Sequence, residues 1–408
     1  MVLIATACAV APARAGASPS PSAPEVTAAN AASITPALPT PGSEPSAAPA
    51  SPVPEGAHGP RATRQIAGME FALVGESADL RVESAIARED EATLLAAVEA
   101  DLKAVERELD RRFAARPVIY VYATSESYAR GLAGIFGYPQ TTAAFVAENS
   151  VSFFEPALLL IAVNWEAVRF QRPIAAIRHE LTHLITLDAC APRCDLVPAW
   201  LNEGQARLAE ALVPGGEWRL VRVRYEAASM AETGTLIPLN ALVSQLAWNA
   251  LSDWAGYFKY QEAARAVELL REDIGTDAPI ALLYDRMRRG QNVAQAYASL
   301  TGRSFDEFVS GLPARMRGAV PQSQGLIAVA PESYLLYGFA PATTVTLTIS
   351  GPRGTESWPM VISPFGSNFD GVPPTRARGG YTISAQDANG VFTAKVRKVD
   401  QGSPGDLR

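Results

Sequence analysis

Residues 178–204 read RHELTHLITLDACAPRCDLVPAWLNEG, and the fold of this chain turns on how they are read. The chain has three histidines, and two of them, His179 and His183, fall four apart in H-E-L-T-H. On a helix, positions i and i+4 lie one turn apart on the same face. Two imidazoles so placed can share one zinc ion, with nitrogens at ~2.0–2.1 Å. Glu180 stands beside His179 around the helix, where its carboxylate can take a proton from a water on that ion. Catalytic zinc normally has three protein ligands and one open position. The third histidine, His58, lies in a proline-rich stretch and receives no role. An all-histidine site is thereby excluded, and a carboxylate must complete the set. Glu203, in N-E-G, follows His183 by 20 residues and falls in the second turn of a helix opened by Pro198. Two ordinary core histidines would meet the four-residue spacing. They would not require apolar flanks at Ile177, Leu181, Leu184 and Ile185 together with a second, carboxylate-bearing helix.

Around this stretch the chain is unevenly composed. At 408 residues it is expected to hold more than one domain. With 48% hydrophobic and 19% charged residues it can bury a sizeable core. A net charge of −7 and the absence of a basic run exclude a nucleic-acid binder, which needs a basic face. Residues 1–15, MVLIATACAVAPARA, resemble a signal peptide: an apolar run from Val2 to Ala11, then A-R-A, though without a basic start. An exported protein is expected, secreted or at the extracytoplasmic cell surface. Cys8 would leave with that segment, and Ala5 stands where a lipoprotein signal calls for leucine. Residues 16–65 are rich in Pro, Ala and Ser, bury too little apolar surface to become ordered, and read as a semi-extended linker. Cys190 and Cys194 remain, and in an exported protein such a pair is a disulfide candidate. No stretch approaches ~18 uninterrupted apolar residues, so no transmembrane helix is expected.

The expected architecture is α+β. MEFALVG, ADLRVESA and PVIYVYAT read as strands, as do TTAAFVAENSVSFF and ALLLIAV, making a small mixed sheet. Residues 91–113 read as an amphipathic helix with Leu94, Val98, Leu102, Val105 and Leu109 on one stripe. From 173 to about 312 the pattern is mainly helical, punctuated by glycines. From 320 to 398 it alternates: Val345, Leu347 and Ile349 against threonines, then two strands across D-A-N-G. That region reads as an Ig-like β-sandwich accessory domain, followed by a tail at 399–408, while 66–319 forms the domain carrying the histidines.

The blocks RHELTHLI and PAWLNEG, at their spacing, resemble the gluzincin zinc metallopeptidases, the thermolysin and alanyl-aminopeptidase clan, and look closest to bacterial peptidase MA-like domains. TGTLIPLNAL and YFKYQEAARAVELLREDIG resemble the family's connector and tyrosine-bearing helix, so the likeness spans roughly 66–312. The resemblance implies a zincin-like fold, one zinc ion per chain held by His179, His183 and Glu203, and Glu180 as base and then proton donor. It implies peptide or protein substrates, with endopeptidase action favoured because no Gly-rich loop for capturing a terminal amine stands out. A tyrosine donating to the oxyanion is also implied; Tyr260 is the first candidate and Tyr257 the second. In one respect the chain departs from the pattern. Where many gluzincins carry an acid one turn after the third ligand, Arg207 stands here, so either Asp188 or another carboxylate orients a histidine or that support is weaker; Asp188 itself reads more simply as a helix-end residue. An edge strand, within AFVAENSVSFF or ALLLIAV, is expected to pair with substrate backbone. The departure at Arg207 keeps open a zinc-binding surface or interaction protein without catalysis, and a zinc hydrolase of non-peptide substrates is a third reading. The β-domain is left with an accessory role toward a surface or partner.

Overall fold

The computed structural model describes residues 63–75, 78–155, 159–169, 174–276, 278–330, 332–372 and 377–398. The signal-like segment, nearly all of the 16–65 linker and the 399–408 tail lie outside these residues, as do Cys8 and His58.

Six strands form the first sheet: β1 (Thr63–Ile66), β2 (Met69–Val74), β3 (Asp79–Glu83), β4 (Val118–Tyr122), β5 (Ser152–Glu155) and β6 (Leu160–Asn164). Their order is β1-β2-β3-β4-β6-β5. β4 runs parallel to both β3 and β6, and the remaining pairings are antiparallel. The central position of β4 explains its run V-I-Y-V-Y, buried over its last four residues, since a parallel strand is covered on both faces. β5 lies at the edge.

Four helices accompany the sheet: α1 (Arg88–Glu108), α2 (Ser125–Gly134), α3 (Gln140–Asn149) and α4 (Trp165–Val168). α1 buries Leu94, Val98, Leu102 and Val105, the expected stripe, although it begins and ends before the expected 91–113. The stretch TTAAFVAENSVSFF, expected to be strand throughout, is helical up to Asn149, and Ser152–Glu155 alone is strand. Its buried residues Ala143 and Val146 are three apart, the helical and not the strand period.

Eight helices follow: α5 (Ala176–Cys190), α6 (Ala199–Ala211), α7 (Glu217–Thr233), α8 (Gln245–Ala250), α9 (Asp253–Ile274), α10 (Pro279–Arg288), α11 (Val293–Thr301) and α12 (Phe305–Arg317). α5 is central, with 12 of its 15 residues buried. Arg178 near its start ties it to α1 through Asp101 at 2.7 Å, a pair buried on both sides. Cys190 and Cys194 are joined, closing the bend that leads toward α6. α7 was not picked out as an element of its own within the mainly helical 173–312, because its apolar positions Val223, Ala227, Met230 and Ala231 share the buried face with Arg219, Arg222, Glu226 and Ser229. Gly204 on α6 has a local cause: a Cβ there would meet the Ala263 carbonyl oxygen of α9 at 2.6 Å.

Seven strands close the chain: β7 (Gly325–Ala330), β8 (Ser333–Tyr337), β9 (Thr344–Gly351), β10 (Gly354–Val361), β11 (Asn368–Gly371), β12 (Gly379–Asp387) and β13 (Gly390–Lys398). They form two antiparallel sheets, β10-β9-β12-β13 and β11-β8-β7, around Leu336, Phe339, Leu347, Ile349 and Ile383. β9 turns Val345, Leu347 and Ile349 inward, as its alternation requires. The β12–β13 hairpin turns at D-A-N-G, where Asp387 Oδ1 accepts from the Asn389 and Gly390 amides at 2.8 and 3.1 Å. The architecture is therefore the expected one: mixed sheet, helical centre, all-β end. No helix among the described residues is long and apolar enough to cross a membrane.

Candidate metal centre

α5 supplies His179, Glu180 and His183 from one turn and a half, and α6 brings Glu203 against them. The two histidine Nε2 atoms stand 3.1 Å apart. Glu203 Oε2 lies 3.5 Å from His183 Nε2 and 3.9 Å from His179 Nε2. Three atoms set tetrahedrally at ~2.0–2.1 Å from one ion would be separated by about 3.3 Å. The group is thus close enough to hold a metal ion, all donor atoms lying within 4.8 Å of one another.

The far nitrogen of each histidine meets an oxygen. His183 Nδ1 is 3.1 Å from Asn202 Oδ1, and His179 Nδ1 faces Glu210 Oε2 at 3.5 Å. An oxygen acceptor places the ring proton on Nδ1 and turns the Nε2 lone pair toward the centre. Phe154 of β5 stacks on the His183 ring at 4.7 Å and fixes its plane. Glu203 Oε1 accepts from Gln245 Nε2 of α8 at 3.2 Å.

Electrostatics point the same way. Burial alone would lower the His183 pKa, but the Glu203 carboxylate outweighs it and raises the imidazole to about 9. Burial would push Glu203 up, yet His183 holds it below the usual carboxylate range. A buried carboxylate so dependent on a neighbouring positive charge suits a cation at this spot. Glu210 behaves alike: burial opposes ionisation, and Arg207 first, then His179, holds it well below its ordinary value.

The carboxylate that faces a histidine's far nitrogen is therefore Glu210 and not Asp188, which pairs instead with Arg111 at 3.1 Å. Arg207, the departure from the gluzincin pattern, is Glu210's partner. Glu210 follows Glu203 by seven residues on the same helix, two turns along one face, and that spacing was its available signal. Ser152 had no signal in the sequence; its hydroxyl donates to Glu180 Oε1 at 2.7 Å across from the edge strand.

A cavity of about 280 Å³ opens over these groups, lined by residues 150–154, by the α5 and α6 side chains, and by Tyr257, Tyr260 and Gln261 of α9. Of the two tyrosine candidates, Tyr257 is committed elsewhere, its hydroxyl donating to Glu226 Oε2 at 2.9 Å. The Tyr260 ring lies 6.4 Å from the His179 ring and edge-on to Trp248 at 4.9 Å.

Comparison with known proteins adds one match. The family model described as Peptidase MA superfamily covers residues 106–320, just over half of the 408-residue chain. No curated protein matches the chain.

Proposed function

The chain belongs to the Peptidase MA superfamily, with a metallopeptidase-type function, and on that premise we propose that it is a zinc-dependent endopeptidase of gluzincin type. One observation carries this reading: a His–His–Glu group within ligand spacing, with Glu180 beside it and held by Ser152, at the floor of a cavity bordered by an edge strand.

His179, His183 and Glu203 would hold the ion. Bound zinc would polarise the scissile carbonyl and make an adjacent water acidic near neutral pH. Every other step falls to the chain's own side chains. Glu180 accepts the proton of the attacking water and returns it to the leaving amine as the C–N bond breaks. Ser152 occupies Oε1 of Glu180, which leaves Oε2 to carry that proton. The Tyr260 hydroxyl donates to the carbonyl oxygen as negative charge gathers there. Among the described residues β5 pairs with β6 alone, so its outer edge offers backbone groups to an extended substrate. The Cys190–Cys194 bridge and the signal-like start support an extracytoplasmic location, which cell fractionation would check.

Glu180→Gln tests the reading. The variant should keep one zinc per chain and lose about 10²–10⁴-fold in cleavage of an unfolded protein substrate. Unchanged cleavage would overturn it. Zinc retention in a wild type that cleaves nothing would favour a non-catalytic binding protein instead.

A further inference from the structure

From the wall of the cavity a file of polar groups, half-buried at Glu210, Arg207 and Tyr257 and buried at Glu226 and Arg222, runs to the C-terminal sandwich. Glu210 faces His179 and pairs with Arg207. Burial disfavours the Arg207 charge, and Glu210, Tyr257 and Glu226 around it restore the charge. The Tyr257 hydroxyl donates to Glu226. Arg222 of α7 donates to the Tyr257 oxygen and stands 3.3 Å from Glu226 Oε1. Glu226 and Arg222 are 1% and 8% exposed. The file does not run out into solvent. The Arg222 guanidinium lies 3.6 Å from the centre of the Phe369 ring, on β11, and Trp218 stacks on that ring at 6.0 Å and 12°.

Resting on the zinc reading above, we propose that Phe369 and Arg222 are positioning residues through which the sandwich sets the orientation of Glu210 and thereby of His179. A guanidinium over a ring face is held by the ring quadrupole, more firmly when water is excluded. In a network of paired charges each group accepts few geometries, so fixing Arg222 at the buried end fixes Glu226 and Tyr257, and with them the surroundings of Arg207. The sandwich meets α7 elsewhere without touching the file. Tyr337 packs edge-on against Tyr225 at 4.7 Å, and Ser229 bonds to the Phe365 oxygen and the Gly338 amide. The Phe369–Arg222 contact is the one that touches a charged member of the file directly; Phe365 meets the file through Phe258, which it stacks on at 4.7 Å and whose ring is edge-on to Tyr257.

The test is zinc affinity, read by chelator competition with zinc ion on the full chain. Phe369→Ala should weaken zinc about fivefold to tenfold, in line with loss of support behind a ligand. Phe369→Trp should restore it to within about twofold, since the ring face returns. Tyr337→Ala should lower the unfolding temperature and leave zinc affinity unchanged. On a Glu210→Gln background, Phe369→Ala should have no further effect on zinc, because the two act along one path. Should Phe369→Ala fail to fold, Phe369→Leu keeps apolar volume, removes the quadrupole and gives the same readings. The proposal is overturned if folded Phe369→Ala or Phe369→Leu binds zinc as the wild type does, or loses affinity equally with and without Glu210. Zinc lost on Glu203→Ala verifies the premise separately. A wild type that binds no zinc there overturns both readings, whereas normal binding indifferent to Phe369 overturns this one.

Discussion

His179 and His183 each use both ring nitrogens, one toward Glu203 and one toward an oxygen on α6. The oxygen partners, Glu210 and Asn202, come from the helix that also supplies Glu203, so a single helix both completes and orients the set. Each histidine is legible because helix geometry is covalently local; four residues is one turn wherever the helix sits. Its orienting partner is less so, because Glu210 and Asp188 are equally acidic on paper and the crossing of α5 with α6 decides which arrives. Another buried acid, Glu262, accepts the Ile237 amide at 2.8 Å, and burial outweighs that bond and raises its pKa to about 8. A carboxyl raised in the folded state contributes stability that is fully present below its unfolded value of 4.5 and is lost as pH rises through 8. Glu262→Gln keeps an acceptor for Ile237 and removes the titration. It should match the wild type near pH 4.5 and exceed it by about 1–3 kcal/mol at pH 8–9. Thermal unfolding against pH checks this, and a constant difference across that range would contradict it.

Gly204 shows why one element matters more than its length suggests. α6 places Glu203, Arg207 and Glu210 along one face and must press against α9 to bring them to α5. The 2.6 Å approach of a Cβ to the Ala263 carbonyl leaves no room for any other residue. Gly204→Ala should cost about 1–3 kcal/mol through overpacking. Because Glu203 is the adjacent residue, zinc binding should weaken as well. Denaturant unfolding with a zinc titration measures both, and a variant as stable as the wild type would refute the close-approach argument. Among the strands, β5 lies in one of two stretches the sequence offered as an edge, and the sequence did not decide between them. Its position beyond β6, antiparallel to it, comes from the strand order and not from S-F-F-E itself. α3 and α7 were hidden for different reasons. In α3 a β-like composition covers a helical spacing, and in α7 buried charge is mixed into the apolar stripe.

Across the whole molecule, the sandwich is seated on α7 by a few buried polar contacts as well as by aromatic packing. Ser229, fully buried, donates to the Phe365 oxygen at 3.1 Å and accepts the Gly338 amide at 2.9 Å. Ser229→Ala leaves both backbone groups without that partner and should cost about 1–3 kcal/mol. Limited proteolysis should then open the joint between 318 and 325 sooner than in the wild type, and equal protection would count against the contact. Local periodicity was sufficient to read from the chain the H-E-x-x-H pair, the alternation of the C-terminal strands and the order of sheet, helices and β-domain, while Glu203 was reached by elimination, no third histidine being left in the folded region. The periodic readings depend on residue types at spacings of two and four, which the backbone enforces without help from distant parts. Tertiary structure alone decided that Glu210 rather than Asp188 stands behind His179, that Ser152 holds Glu180, and that Phe369 of the sandwich reaches a charge network running to the histidine. Those contacts join residues 28 to nearly 150 positions apart, and no spacing rule acts over such distances; only the packing of buried charge against a partner that can neutralise it selects them.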